Sequence, residues 1–162
     1  MNHLYFSTGR KPSALIRKLG RLLSLIFNSK YENRGKKSVD EVCARAELAG
    51  CVKIAFIYEK KGNPSNIKFF DETNGWLKTE LLIHGMNLPE RTGRIPKTLN
   101  LEIKGAVGKK IADLFDVNLD ENDDASPLRG IVSDNSLAFF QKDQKILELK
   151  VSLFESKTPN GE

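Results

Sequence analysis

The longest periodic pattern of apolar residues in the chain lies between Pro12 and Asn28. Its apolar positions recur on one face of a helix with about 3.6 residues per turn. They are Leu15, Ile16, Leu19, Leu22, Leu23, Ile26 and Phe27. Three cations, Arg17, Lys18 and Arg21, fall on the opposite side. The pattern predicts an amphipathic helix that buries one face in a core and keeps cations in water on the other.

Two further helices are predicted by spacing and by capping residues. Ser38 followed by Glu41 three positions later is typical of a capping box, so a helix should begin there and continue to Ala49. A second apolar helical spacing predicts a helix over 106–117. Runs rich in apolar, β-branched and aromatic residues predict strands at 3–7, 51–58, 67–71, 76–83, 99–103, 129–133, 137–141 and 146–154. The sequence at 62–65 (GNPS) predicts a turn between two of these strands.

The predicted elements repeat one order, which is strand, helix and then a strand meander. The fold class expected is therefore α/β, with two similar halves, each a mixed sheet with packed helices. We place the halves at about 1–84 and 97–155, joined by a loop at 85–96, within a single domain over 1–155. The remaining residues, 156–162, are predicted to be a disordered tail.

Charge is distributed unevenly along the chain. The net charge of the 162 residues is +5, yet residues 1–37 carry nine Lys or Arg against the single acid Glu32, for a charge of +8, and the remainder carries −3. A cationic region on a nearly neutral body indicates a polyanionic partner, first nucleic acid and second an anionic membrane surface. The same Arg-rich, acid-poor N-terminus is also compatible with a mitochondrial transit peptide.

Few residues suit catalysis, a metal or a cofactor. The chain contains no P-loop, no nucleophile elbow and no H-E-x-x-H motif, and its two histidines stand in unrelated contexts. Residues 116–120 (DVNLD) match the first ligand positions of an EF-hand loop, but Glu121 and Pro127 stand where the required Gly and Glu belong. We therefore predict no catalytic residue, no metal and no cofactor. The acid pair Asp123 and Asp124 leaves a metal-dependent nuclease as an alternative.

Cysteine usage and hydropathy indicate the compartment. Cys43 and Cys51 have no redox or zinc spacing and are expected to be core residues in a reducing compartment, so the predicted location is the cytoplasm. No apolar run approaches the roughly 18 residues of a membrane-spanning helix.

The cationic helix is flanked on both sides by basic turns, which makes the region a candidate nucleic-acid site. A solvated helix face explains the helical cations but does not explain the turns. Arg suits bidentate phosphate contacts, Lys supplies a point charge, and Tyr31 could stack on an unpaired base. The predicted RNA-binding residues are Arg10, Lys11, Arg17, Lys18, Arg21, Lys30, Tyr31, Asn33, Arg34, Lys36 and Lys37.

The same stretch resembles the opening of the Brix-domain family. That family has a Ser-Arg-Lys-Pro-Ser-like turn and then an Asn-Arg-Gly-Lys turn, which residues 7–13 (STGRKPS) and 31–38 (YENRGKKS) resemble. Later segments at 62–64 (GNP), 69–72 (FFDE), 108–115 (GKKIADLF) and 131–140 (IVSDNSLAFF) follow in the family's order. Gly9 departs from the family, which usually has Ser there.

The resemblance implies a fold and a function. The implied fold is two α/β halves, each resembling the anticodon-binding domain of class II aminoacyl-tRNA synthetases, in the short stand-alone form typical of archaea. The implied function is a non-enzymatic ribosome-biogenesis factor that binds or anneals precursor ribosomal RNA. Implied partners are that RNA and other ribosome-assembly proteins or a guide RNA-protein particle, with no membrane. The alternative is a protein-interaction module that docks basic ribosomal or assembly proteins through the acidic loop at 120–124.

Overall fold

The computed structural model describes residues 3–89, 93–158 and 161. Nine strands and three α-helices follow one another in this part of the chain, with a 3₁₀ turn at Leu119–Glu121. The elements are β1 (Leu4–Thr8), α1 (Ala14–Ile26), β2 (Lys30–Tyr31), α2 (Val39–Leu48), β3 (Lys53–Lys60), β4 (Asn63–Asp71), β5 (Gly75–Asn87), β6 (Asn100–Ile103), α3 (Ala106–Leu114), β7 (Leu128–Val132), β8 (Ser136–Gln141) and β9 (Gln144–Glu155).

All nine strands belong to one mixed sheet in the order β2-β1-β3-β4-β5-β9-β8-β7-β6. The pairs β1–β2, β1–β3 and β6–β7 are parallel, and the other neighbours are antiparallel. Strands β5 and β9 pair at the centre, from Thr79 opposite Glu155 to Asn87 opposite Glu148. The mixed α/β class predicted from the sequence is confirmed.

The helices divide between the two faces of the sheet. Apolar side chains of α1 and α3 share the larger core with the sheet, and the rings of Phe27 and Phe115 stack there with centroids 5.0 Å apart. Helix α2 covers the opposite face, where Val42 and Ala46 pack against Phe56. Burial of these apolar surfaces is the main contribution that holds the helices on the sheet.

Local sequence explains where the first two helices begin. The Ser13 side chain accepts a hydrogen bond from Ile16 N at 3.4 Å, and it is the N-cap of α1. The predicted N-cap of α2 is confirmed, since Ser38 Oγ accepts from Glu41 N at 3.2 Å, and Ser38 Oγ also donates to Glu41 Oε1 at 3.3 Å.

Three boundaries differ most from the sequence prediction. The turn expected at 62–65 is formed by Lys61 and Gly62, both with positive φ, so Pro64 belongs to β4. Pro64 is tolerated because it pairs with Glu59 at a bulge, where a missing N–H costs less. Strand β5 continues to Asn87, so the first residues of the predicted loop 85–96 are strand. Helix α3 ends at Leu114, three residues earlier than the predicted 117.

Two predicted segments fall partly outside the described residues. These are the loop at 85–96, of which 90–92 are not described, and the tail at 156–162, of which 159, 160 and 162 are not described. Both cysteines are free thiols, with Cys51 buried and Cys43 half-buried. Within the described ranges, no helix has the length and apolar character needed to cross a membrane.

Candidate nucleic-acid interface

The two basic turns lie at a topological switch point of the sheet. The first turn follows β1 and leads to α1 on one face, whereas the second follows the neighbouring parallel strand β2 and leads to α2 on the other face. In open α/β sheets, loops that leave adjacent parallel strands in opposite directions create a crevice at the carboxyl ends of those strands, where ligands bind. Residues 9–12 and 32–37 therefore border one crevice.

The structure brings the two turns together around a cavity. Arg10 of the first turn and Arg34 of the second both line this cavity, which has a volume of about 400 Å³. Burial lowers the pKa of the Arg34 guanidinium, and the positive charge of Arg10 acts in the same direction. The other lining residues are Gly9, Pro12, Ile16, Ile57, Tyr58 and Glu59.

Arg34 is buried, although its sequence context resembles a solvent-exposed basic turn. Only 1% of its surface is exposed, its Nε donates to Lys37 O at 2.9 Å, and its guanidinium lies 5.7 Å from the centre of the Phe56 ring. These contacts close the second turn on itself and anchor it to the sheet. Arg34 thus adds positive charge to the crevice from beneath, while exposed Arg10, Lys11 and Lys36 lie at the surface.

Glu32, the only acid among residues 1–37, holds several groups of the second turn. Its carboxylate accepts from Tyr5 Oη at 3.1 Å and from Arg45 Nε at 2.6 Å, and it lies 3.3 Å from Lys37 Nζ. Burial raises the pKa of Glu32, but the hydrogen bonds from Arg45, Tyr5 and Lys37 lower it by more, so the net shift is downward. Lys37 is therefore partly neutralised by an internal partner.

The outer face of α1 carries some predicted residues close to the first turn. Arg17 Nη1 donates to Pro12 O at 2.9 Å, and the Arg21 guanidinium lies 5.9 Å from the centre of the Tyr31 ring. Tyr31 packs on Gly20, where a Cβ atom would lie only 2.3 Å from the ring. The Tyr31 hydroxyl donates to the Asn33 side chain. Burial raises the pKa of Tyr31, and the charges of Arg21 and Arg17 oppose that rise.

Two predicted residues lie apart from this group. Lys18 Nζ donates to Pro89 O at 2.7 Å, which directs the side chain towards the segment after β5. Lys30 is exposed at the beginning of β2 and pairs with Tyr5 of β1. Tyr31, the other residue of β2, separates Lys30 from the second turn.

Carboxylates of the protein lie at the N-termini of α1 and α3. The sequence pattern predicted neither contact. Glu59 Oε1 accepts from Ser13 N at 3.0 Å at the start of α1, and Asp134 Oδ1 accepts from Gly108 N at 3.0 Å at the start of α3. Glu59 lies near the end of β3, which is parallel to β1, and Asp134 follows β7, which is parallel to β6. Because an internal anion already meets the positive end of each helix dipole, bound phosphate would have to contact the turns and their cations instead.

The acidic loop, a candidate metal or docking site, forms hydrogen bonds within itself and with β6. Asn122 Oδ1 accepts from Leu101 N at 2.6 Å, Asp123 Oδ1 accepts from Ala125 N at 3.0 Å, and Asp124 Oδ1 accepts from Asn122 Nδ2 at 3.0 Å. No group of three or more metal-ligating side chains occurs in the described part of the chain.

Comparison with known proteins gives relatives in sequence. No family model matches the chain. The chain is similar to a probable Brix domain-containing ribosomal biogenesis protein of Methanothermobacter thermautotrophicus, with 38% identity over 72 residues, which is 44% of each chain. A protein of the same description from Sulfurisphaera tokodaii is 27% identical over 156 residues, 89% of this chain and 87% of the relative. The match thus spans less than half of the first relative and most of the second.

The fold has a solved counterpart. The crystal structure of Mil, an archaeal Imp4-like protein, superimposes with a TM-score of 0.73 at 21% identity, covering 95% of this chain and all of that one. At this identity the likeness concerns the fold. The sequence relatives and this fold together confirm the resemblance predicted from the sequence.

Proposed function

We propose that this chain, which is related in sequence and in fold to the Brix domain-containing proteins, is a ribosome-biogenesis factor that binds or anneals precursor ribosomal RNA. The observation that carries the proposal is the convergence of two basic turns on one crevice at the carboxyl ends of β1 and β2. A crevice lined by arginines and bordered by exposed lysines suits a polyanion that follows the edge of the sheet.

The residues of the interface divide by role. Exposed Arg10, Lys11 and Lys36 contact phosphates, and Arg17 and Arg21 extend the contact along α1. Phosphate contacts carry little sequence information, so they position the RNA rather than select it.

Three other predicted residues support these contacts. Arg34 holds the second turn through the Lys37 carbonyl and contributes charge. Tyr31 and Asn33 contact ribose or an unpaired base at the edge of the patch. No chemistry is performed on the RNA, and the protein acts by holding strands in place in the cytoplasm together with other assembly proteins.

The two-half architecture is part of the proposal. A parallel pair, β1–β3, leads into the meander β3-β4-β5, and a second parallel pair, β6–β7, leads into the meander β7-β8-β9. Each set has a core helix after its first strand. This order supports two similar halves that meet at the β5–β9 pair, each resembling the anticodon-binding domain of class II aminoacyl-tRNA synthetases.

The test is a titration of labelled single-stranded ribosomal RNA segments followed by fluorescence anisotropy. Three proteins are compared: wild type, the turn variant R10A/K11A/K36A, and a control variant, K110A/K145A/K150A, that removes three exposed lysines from the other half. Weaker binding by the turn variant alone supports the proposal. Equal binding by all three proteins contradicts it, and would favour docking of basic proteins through the acidic loop.

A further inference from the structure

The cavity between the two turns contains a carboxylate beside its arginines, which a simple phosphate site would not need. Glu59 lines this cavity together with Arg10 and Arg34. Its Oε1 accepts from Ser13 N at 3.0 Å, whereas its Oε2 is buried and has no hydrogen-bond partner. A buried carboxylate oxygen without a donor costs free energy, which a ligand N–H can recover.

The mixed charge of the walls narrows the class of ligand. Glu59 would repel a phosphate placed inside the cavity, and Arg10 would repel a cation. Pro12, Ile16 and Ile57 add apolar walls, which suit a flat and uncharged group. A volume of about 400 Å³ leaves room for a single nucleobase. The cavity therefore fits a neutral ring that presents hydrogen-bond donors and an acceptor on the same edge.

Guanine is the RNA base whose hydrogen-bonding edge matches both the Glu59 carboxylate and the Arg10 guanidinium. Its Watson–Crick edge presents two adjacent donors, N1–H and the N2 amino group, next to the acceptor O6. Adenine, cytosine and uracil each place an acceptor where a carboxylate needs a second donor, so Glu59 would disfavour them. Unpaired bases in RNA are recognised through this same edge.

We propose that the cavity binds one unpaired guanine of the RNA. On binding, the Glu59 carboxylate turns its buried Oε2 towards the cavity, where Oε2 accepts from N1–H, Oε1 accepts from the N2 amino group with its second lone pair, and Arg10 donates to O6. This inference rests on the proposed function, because it requires that RNA follow the two turns. It adds base selectivity to an interface whose other contacts are to phosphate.

The experiment uses labelled oligouridines that carry one central guanosine, inosine or adenosine, together with an all-uridine oligomer. For the wild-type protein, the guanosine oligomer should bind roughly tenfold more tightly than the adenosine oligomer. Inosine should be intermediate, because it keeps N1–H and O6 but lacks the N2 amino group. The variant Glu59→Gln should lose the guanosine preference, and its affinity for the all-uridine oligomer should not fall, because the change removes a negative charge.

The outcomes separate this inference from the proposed function. Salt-sensitive binding with equal affinity for guanosine, inosine and adenosine would overturn the guanine site and leave RNA binding in place. Failure to bind any oligomer would overturn both. If circular dichroism shows that Glu59→Gln is unfolded, the wild-type comparison of guanosine with inosine decides the matter, since it needs no substitution.

Discussion

Removal of the exposed cations at the two turns should reduce the salt dependence of RNA binding by a calculable amount. Arg10, Lys11 and Lys36 are exposed, and none of them forms an ion pair with the described residues. Each phosphate contact on single-stranded RNA contributes about −0.7 to the slope of log affinity against log salt. Loss of three contacts should therefore make the slope less steep by about 2.1.

The absolute slope for the wild-type protein follows from the number of cations that contact phosphates. The proposed function assigns phosphate contacts to five cations, namely Arg10, Lys11, Arg17, Arg21 and Lys36. If each meets one phosphate, the wild-type slope is about −3.5, and affinity falls roughly 130-fold between about 50 and 200 mM salt. The turn variant R10A/K11A/K36A should have a slope of about −1.4 and lose only about sevenfold.

The assay is the anisotropy titration repeated at four or more salt concentrations. The control variant K110A/K145A/K150A lowers the net charge by the same amount, so it corrects for the overall charge of the protein. Equal flattening of the slope by the two variants would contradict this prediction, because the RNA would then respond to net charge and not to the turns.

Two further predictions concern the stability of the fold. Gly105→Ala should lower the free energy of unfolding in urea by about 2–4 kcal/mol, since Gly105 has φ 83 and ψ 164 and its Cβ would lie 2.1 Å from the Asp134 carboxylate. The control Gly50→Ala, with φ +78 and no atom within 4 Å, should cost only about 1 kcal/mol, and an equal loss in both would contradict the assigned clash. Because the folded-state pKa of Glu32 is lowered from 4.5, its stabilisation is present above that pH and is lost as pH falls through the folded pKa. Wild type should therefore exceed Glu32→Gln in unfolding free energy at pH 7 and lose this advantage as the pH falls through the folded-state pKa of Glu32, whereas a constant difference would show that the charge of Glu32 is immaterial.

Much of the fold follows from local patterns in the sequence. The apolar face of α1, the capping box of α2 and the strand runs place most elements within a few residues of their observed bounds. Strand β2 was not predicted, because two residues cannot show an alternating period. Its existence depends on parallel pairing with β1, a contact that is distant in sequence and is made possible by α1.

The site was predicted less completely, for a related reason. Basic residues in both turns indicated a polyanion partner, but the burial of Arg34 depends on Phe56, which lies far along the chain. Glu59 and Asp134 reach helix N-termini from neighbouring strands, so only the sheet order brings them there. A periodic pattern reports which face of an element is buried and does not report which charged groups converge.

The proposed function places RNA in the crevice between the turns at the ends of β1 and β2. The most direct test is a two-dimensional NMR titration of ¹⁵N-labelled protein with single-stranded ribosomal RNA, which is practicable for a chain of 18.2 kDa. On this proposal, the largest amide shifts occur at 9–13 and 32–38, and added salt reverses them. Shifts confined to the acidic loop at 118–126, or to the face covered by α2, would contradict it.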